Sequence, residues 1–137
     1  DLFYMTDVVK CHPAPPANPQ SNRSPKAGEI RACAEYLRRE LAVLRPSVII
    51  TFGKTASTQV VQALADLKAS GAAFKPRVIA FPHPSPRNQI AVRKQYRSMA
   101  ALEGAIARIF RRLIAHLTGT GTAPRSQSPR ITSHSSR

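Results

Sequence analysis

Two short apolar runs without alternation, Val48-Ile49-Ile50-Thr51-Phe52 and Val78-Ile79-Ala80-Phe81, settle the class of fold this chain can form. A strand with one wet face alternates polar and apolar residues, whereas a uniform run belongs to a strand covered on both faces, the habit of parallel sheets sandwiched by helices. Both runs are of strand length and too short for a buried helix. Between them Gly53-Lys54 opens a stretch in which Ala56, Val60, Val61, Leu64 and Leu67 fall at helical spacing and are expected inward, followed by a loop over 68–76. A strand-helix-strand unit of this size crosses over right-handed and sets its strands parallel.

The flanking segments extend the pattern. Ser24-Pro25 offers an N-cap and a first-turn proline, and Ile30, Cys33, Leu37, Leu41 and Leu44 recur every three or four residues, predicting a helix over 25–44 that Pro46 ends. Arg31, Arg38, Arg39 and Glu40 fall on its outer face. A last helix is predicted over 91–117, with Met99, Leu102, Ile106, Ile109, Phe110, Leu113, Ile114 and Leu117 on one stripe and Arg93, Lys94, Arg97, Arg108, Arg111 and Arg112 largely off it. Residues 2–9 are rich in β-formers and predict a first strand. The expected architecture is therefore α/β, a three-layer αβα sandwich around a parallel sheet of three strands. Residues 12–25 hold five prolines and no periodicity and read as an irregular loop. Residues 119–137 contain one large aliphatic and no acidic residue, so they are expected to be a disordered basic tail behind a domain of 1–118.

The formal charge of +14, from 21 Lys and Arg against 7 Asp and Glu, makes a polyanion the expected partner. Nucleic acid is the first candidate and an acidic protein or membrane surface the second. No apolar run approaches the roughly 20 residues that span a bilayer and no signal-peptide pattern is present, so a soluble, cytoplasmic monomer is expected. The two cysteines, Cys11 and Cys33, read either as free thiols or as part of a metal site. No Ser-His-Asp order, Walker loop or paired zinc-ligand motif occurs.

Pro82 ends the 77–81 strand, so His83 stands just past its carboxyl end, the edge at which open α/β sheets build ligand sites. Pro84 and Pro86 stiffen the loop that presents the imidazole, although a tight surface turn with an incidental histidine would read the same way. The Gly53-Lys54 junction aims helix-start amides at the same edge, where an anion would be welcome and Lys54 would add charge; a glycine serving only the turn is the alternative.

The hexapeptide His83-Pro84-Ser85-Pro86-Arg87-Asn88 closely resembles the second active-site motif of uracil-DNA glycosylases, in particular the single-strand-selective monofunctional branch. Upstream, Tyr4-Met5-Thr6-Asp7-Val8-Val9-Lys10-Cys11-His12-Pro13 with Cys33 and Tyr36-Leu37 resembles the iron–sulfur bacterial and archaeal glycosylases, where Thr-Asn-Val-Val-Lys-Cys precedes a Pro-rich loop. The resemblance implies a bacterial DNA repair glycosylase. In it His83 stabilises charge on the departing base, Ser85 holds a flanking phosphate, Arg87 takes the gap or the adjacent phosphate, Asn88 joins them on the DNA, and Asp7 stands where the family reads the base edge with Asn. An Asn amide suits uracil by accepting from N3–H and donating to O4; a carboxylate repels O4 and suits an amino-bearing edge. Asp7 is thus expected to shift base preference or mark lost uracil activity, unless it only caps the following loop. Lys10, Arg23, Lys54, Arg93 and Lys94 are candidates for phosphate contacts. Cys11 and Cys33 would be half the ligands of a 4Fe-4S cluster, the family's other two lying upstream together with its Gly-rich first motif. The chain is accordingly expected to be the C-terminal part of a longer protein or a degenerate relative. A non-catalytic, basic nucleic-acid-binding relic of the same fold is the rival reading.

Overall fold

The computed structural model describes residues 3–119. Its centre is a parallel pair of strands, β1 (Val48–Phe52) and β2 (Arg77–Phe81), in the register Ile49↔Val78, Ile50↔Ile79 and Phe52↔Phe81. Successive side chains point to opposite faces, so each strand feeds two cores. Ile49 and Val78 pack with Leu37 and Leu41 of α1 (Ala27–Leu44) and with Val60, Ala63 and Leu67 of α2 (Lys54–Ala69). Ile50, Phe52, Ile79 and Phe81 turn the other way, onto Val92 of α3 (Gln89–Tyr96) and Leu102 of α4 (Met99–Leu117). The result is the expected helix–sheet–helix sandwich. Phe52 and Phe81 stack at 5.9 Å between ring centroids, and Val92 and Leu102 are fully buried beneath them.

Several expectations need correction. The sheet has two strands among the described residues, because residues 3–9 form no ladder. Strand propensity is chiefly a record of packing on a sheet face, and this segment finds other partners. The Tyr4 and Thr6 hydroxyls and the Lys10 ammonium all converge on the Glu40 carboxylate of α1, while Val8 enters the α1/α2 core and Phe3 meets Phe110 of α4 at 5.3 Å. The segment therefore bridges the two helical layers instead of pairing with a strand.

The predicted last helix is two helices. Arg97 adopts φ 66°, and the Ser98 hydroxyl accepts from Ala101 N–H at 3.1 Å to start α4 afresh. A serine that can satisfy an orphan helix-start amide competes with helix continuation, which apolar periodicity does not register. The break lets Met99 and Leu102 fold back on α3. Val61, expected inward, is 59% exposed, and Ala63 takes the core position one turn from Val60 and Leu67. Within α4, Ile114 and Leu117 are likewise exposed.

The first helix begins at Ala27, two residues later than the Ser24-Pro25 signal, because Glu29 reaches back to accept from Lys26 N–H at 2.7 Å. The same carboxylate takes a two-pronged ion pair from Arg23, tying the Pro-rich loop to the helix start. The loop over 12–25 is irregular, as its prolines dictate. No helix among the described residues is long and apolar enough to cross a membrane. The expected tail lies outside the described residues beyond Gly119.

Candidate active site

The carboxyl edge of the sheet is where the two strand exits meet. Gly53 N–H donates to the Phe81 carbonyl at 2.8 Å, extending the ladder by one bond before the chains part. Gly53 then takes φ 91° and ψ 160°, a backbone region open essentially to glycine alone. A β-carbon there would lie 3.3 Å from the His83 β-carbon. Gly53 is therefore required twice, for its backbone and for the space that His83 fills. The Gly53 turn and the His83 loop thus pack directly against each other.

His83 itself is exposed, and its loop is held by its own residues. Its carbonyl accepts from Ser85 N–H at 2.8 Å and from the Asn88 amide at 3.0 Å. The Ser85 hydroxyl accepts from Arg87 N–H at 3.3 Å and caps a single 3-10 turn, Pro86–Asn88, that runs into α3. Ser85 and Asn88, expected on DNA, thus have structural roles inside the loop. Ser85 retains its hydroxyl proton for an outside acceptor, and Asn88 positions the backbone that carries the imidazole. Arg87 is exposed and in no ion pair.

On the other exit, Lys54 is the first residue of α2, exposed and without an ion pair. Behind it Thr51 and Ser57 share a hydrogen bond of 2.8 Å, and the Ser57 hydroxyl donates to the Gly53 carbonyl at 3.0 Å, bracing the junction. These polar supports lie within β1 and the first turn of α2, and an interior threonine in an otherwise apolar strand was their only trace in the sequence. A second residue that sequence reasoning passed over is Ile90. It is 76% exposed in the first turn of α3, beside the loop, where helical periodicity would have required burial or a polar residue.

Asp7 is exposed and makes no hydrogen bond or ion pair among the described residues, neither with its own loop nor with the His83 loop. Of the five cations expected on phosphate, Lys10 is committed to Glu40 and Arg23 to Glu29, whereas Lys54, Arg93 and Lys94 are in no ion pair. His12 and His116 are both exposed.

The two cysteines come together despite their separation in the chain. Cys33 is buried on α1 and accepts from Lys10 N–H at 3.2 Å, and the exposed Cys11 thiol lies near enough in the loop to feel its charge. Desolvation first, then the fields of Cys33 and Glu29, push the Cys11 thiol above its ordinary value. A cation at that point would reverse this. An iron–sulfur cluster takes four thiolates, so the pair fits half of such a ligand set. Among the described residues no group of three or more His, Cys, Asp or Glu side chains could hold a metal ion.

The chain is 38% identical over 94 residues to a type-5 uracil-DNA glycosylase of Pyrobaculum aerophilum, covering 62% of this chain and 37% of the relative. It is 39% identical over 54 residues to a type-4 uracil-DNA glycosylase of Sulfurisphaera tokodaii, and 43% identical over 54 residues to one of Saccharolobus solfataricus, in each case 39% of this chain and 22% of the relative. The matched stretch is thus well under half the length of these curated relatives. No solved structure matches the chain. The family model for the uracil DNA glycosylase superfamily matches residues 1–119, which takes in both strand exits and the His83 loop, and the chain belongs to that superfamily.

Proposed function

We propose that this chain supplies the base-release half of a DNA glycosylase that hydrolyses the N-glycosidic bond of a deaminated or damaged base in DNA. The observation that carries the reading is His83, exposed at the carboxyl edge of the sheet, seated over Gly53 and fixed through its carbonyl by Asn88. The relatives' names as uracil-DNA glycosylases support the same class of reaction.

Such an enzyme takes its nucleotide out of the stack and then lets the base leave a sugar that becomes oxocarbenium-like. The C1′–N bond breaks with its electron pair on the base, charge gathers at O2 of a pyrimidine, and water closes the sugar at C1′. A positioned imidazole N–H at O2 lowers this barrier because the donor needs no reorganisation as charge appears. In this reading Ser85 and Lys54 take phosphates beside the extruded nucleotide, and Arg87 takes the gap or an adjacent phosphate. Ile90 offers an apolar wedge for the gap left in the stack. Asp7 is the residue we assign to the base edge, with a preference for an edge that donates where uracil accepts. Cys11 and Cys33 would hold two corners of a 4Fe-4S cluster, whose contribution is to clamp the Pro-rich loop to α1. The cytoplasm is the expected compartment.

Base excision on labelled oligonucleotides carrying uracil, hypoxanthine, xanthine or plain cytosine tests the proposal, using the full reading frame beside Asp7→Asn. Release of one of these bases by the wild type, with a changed order of preference in Asp7→Asn, is expected. Equal rates on uracil for both proteins would remove Asp7 from base reading. DNA binding without release of any base would leave the non-catalytic binder.

A further inference from the structure

The charge of this protein is divided between its two helical layers. Together α1 and α2 carry five Lys and Arg against four Asp and Glu, a formal +1, and every ion pair among the described residues ends on an α1 carboxylate, Glu29, Glu35 or Glu40. From the Pro86–Asn88 turn through α4 there are seven, Arg87, Arg93, Lys94, Arg97, Arg108, Arg111 and Arg112, against Glu103 alone, a formal +6. All seven are exposed and none is in an ion pair. Two of these cations also line a concavity. Arg93, Arg97 and Ser98, with Gln89, Val92 and Met99, line a cavity of about 390 Å³ at the α3–α4 break, and no carboxylate is among them. Arg93 within α3 and Arg97 at its end bring two like charges to one concavity, an arrangement that a bound anion would relieve.

We propose that the α3–α4 layer is a second phosphate-binding surface, which takes up the DNA strand as it leaves the His83 loop and seats a phosphate between Arg93 and Arg97. The proposal rests on the reading of DNA as substrate and adds where the strand runs. Helix α3 rises about 12 Å over its eight residues. Phosphates follow one another at about 3.4 Å of axial rise along each strand of a duplex, so several can pass this face together. A ring of solvated cations would serve solubility equally well wherever it stood on the surface; here two of them line a concavity on the helix that follows the His83 loop, whereas every ion pair among the described residues ends on the opposite layer.

The test compares two triple substitutions of equal charge. Arg93/Lys94/Arg97→Gln removes three cations from the proposed surface. Lys68/Lys75/Arg77→Gln removes three exposed cations, in no ion pair, from the amino end of the sheet. Affinity of the chain for unmodified oligonucleotides is measured against salt concentration, with circular dichroism as the check on folding. Each phosphate that the protein no longer neutralises should flatten the slope of log affinity against log salt by about 0.9 on duplex and about 0.7 on single strands. The first triple is expected to flatten it by the equivalent of about two phosphates and the second to leave it nearly unchanged. Equal changes in both triples, no change in the first, or no salt-dependent binding by the wild type would overturn the proposal. Its fate is separable from that of the glycosylase: base release with an unchanged slope removes the surface alone, and a flattened slope without base release removes the chemistry alone.

Discussion

The two faces of the sheet are built on the same plan and serve opposite ends. Each buries one side of β1 and β2 under a pair of helices, but the α1 carboxylates hold every ion pair among the described residues while the α3–α4 face leaves its cations in none. Glu40 gathers Tyr4, Thr6 and Lys10, and Glu29 gathers Arg23 and the Lys26 amide, so one layer is stitched to the chain that precedes it. On the other, the polar bonds of the His83 loop close within the loop and its cations point outward. Basic residues in a +14 chain are therefore not equivalent: what matters is which of them meet an acid.

The contrast between the layers meets its severest trial at their cores. Leu102→Ala opens a cavity at a fully buried site and should cost about 2–5 kcal/mol, as should Leu37→Ala in the other layer. Urea denaturation would read both losses. The two should part company in function. Leu102 supports α3 and the loop that precedes it, so its variant is expected to lose base release beyond its loss of folded protein, whereas Leu37→Ala should release base in proportion to the fraction folded. Equal activity per folded molecule would mean that the α3–α4 core does not position the loop.

Gly53→Ala probes the link between the two strand exits. Its φ of 91° is closed to alanine and the new methyl would press on His83, so about 1–3 kcal/mol of stability should go. Base release should fall further than binding, because the imidazole moves. Asn88→Ala is a milder version of the same test. Losing the amide donor to the His83 carbonyl should cost about 1 kcal/mol and lower the rate of base release while leaving the salt dependence of binding unchanged.

The smallest effect is expected on the self-neutralised layer. The Arg23 guanidinium first, then the Lys26 amide, hold the Glu29 carboxyl down at about 2, against an ordinary 4.5. A carboxylate whose folded value is depressed stabilises the fold above its unfolded value and loses that contribution as pH falls through the folded one. Glu29→Gln should therefore lower the urea midpoint slightly at neutral pH, and the two proteins should converge as pH falls from about 4.5 toward 2. A gap that persists near pH 2 would show that the pair is not its source.

Much of this was legible in the chain and the rest was hidden for identifiable reasons. Uniform apolar runs bounded by Gly53 and Pro82 marked β1, α2 and β2 because burial on both faces and backbone exclusions act locally. Residues 2–9 read as a strand because β-rich composition carries no record of side-chain partners, and Tyr4, Thr6 and Lys10 find Glu40 instead of a ladder. The break at Arg97-Ser98 escaped because it turns on one hydroxyl acting as a cap. At the site, His83 followed from its place after a strand, but the carbonyl bond from Asn88 and the fit over Gly53 are contacts between backbone and side chain that no periodicity records.

The proposed chemistry turns on His83, held at the sheet edge by Gly53 and Asn88, as the group that stabilises the leaving base. Single-turnover base release by the full reading frame, wild type beside His83→Ala, tests this on the lesion that the wild type prefers. Because the imidazole acts only as charge develops, the expected result is a fall of about 10²–10³-fold in rate, with DNA affinity and its salt dependence intact. A variant that releases base as fast as the wild type would contradict it.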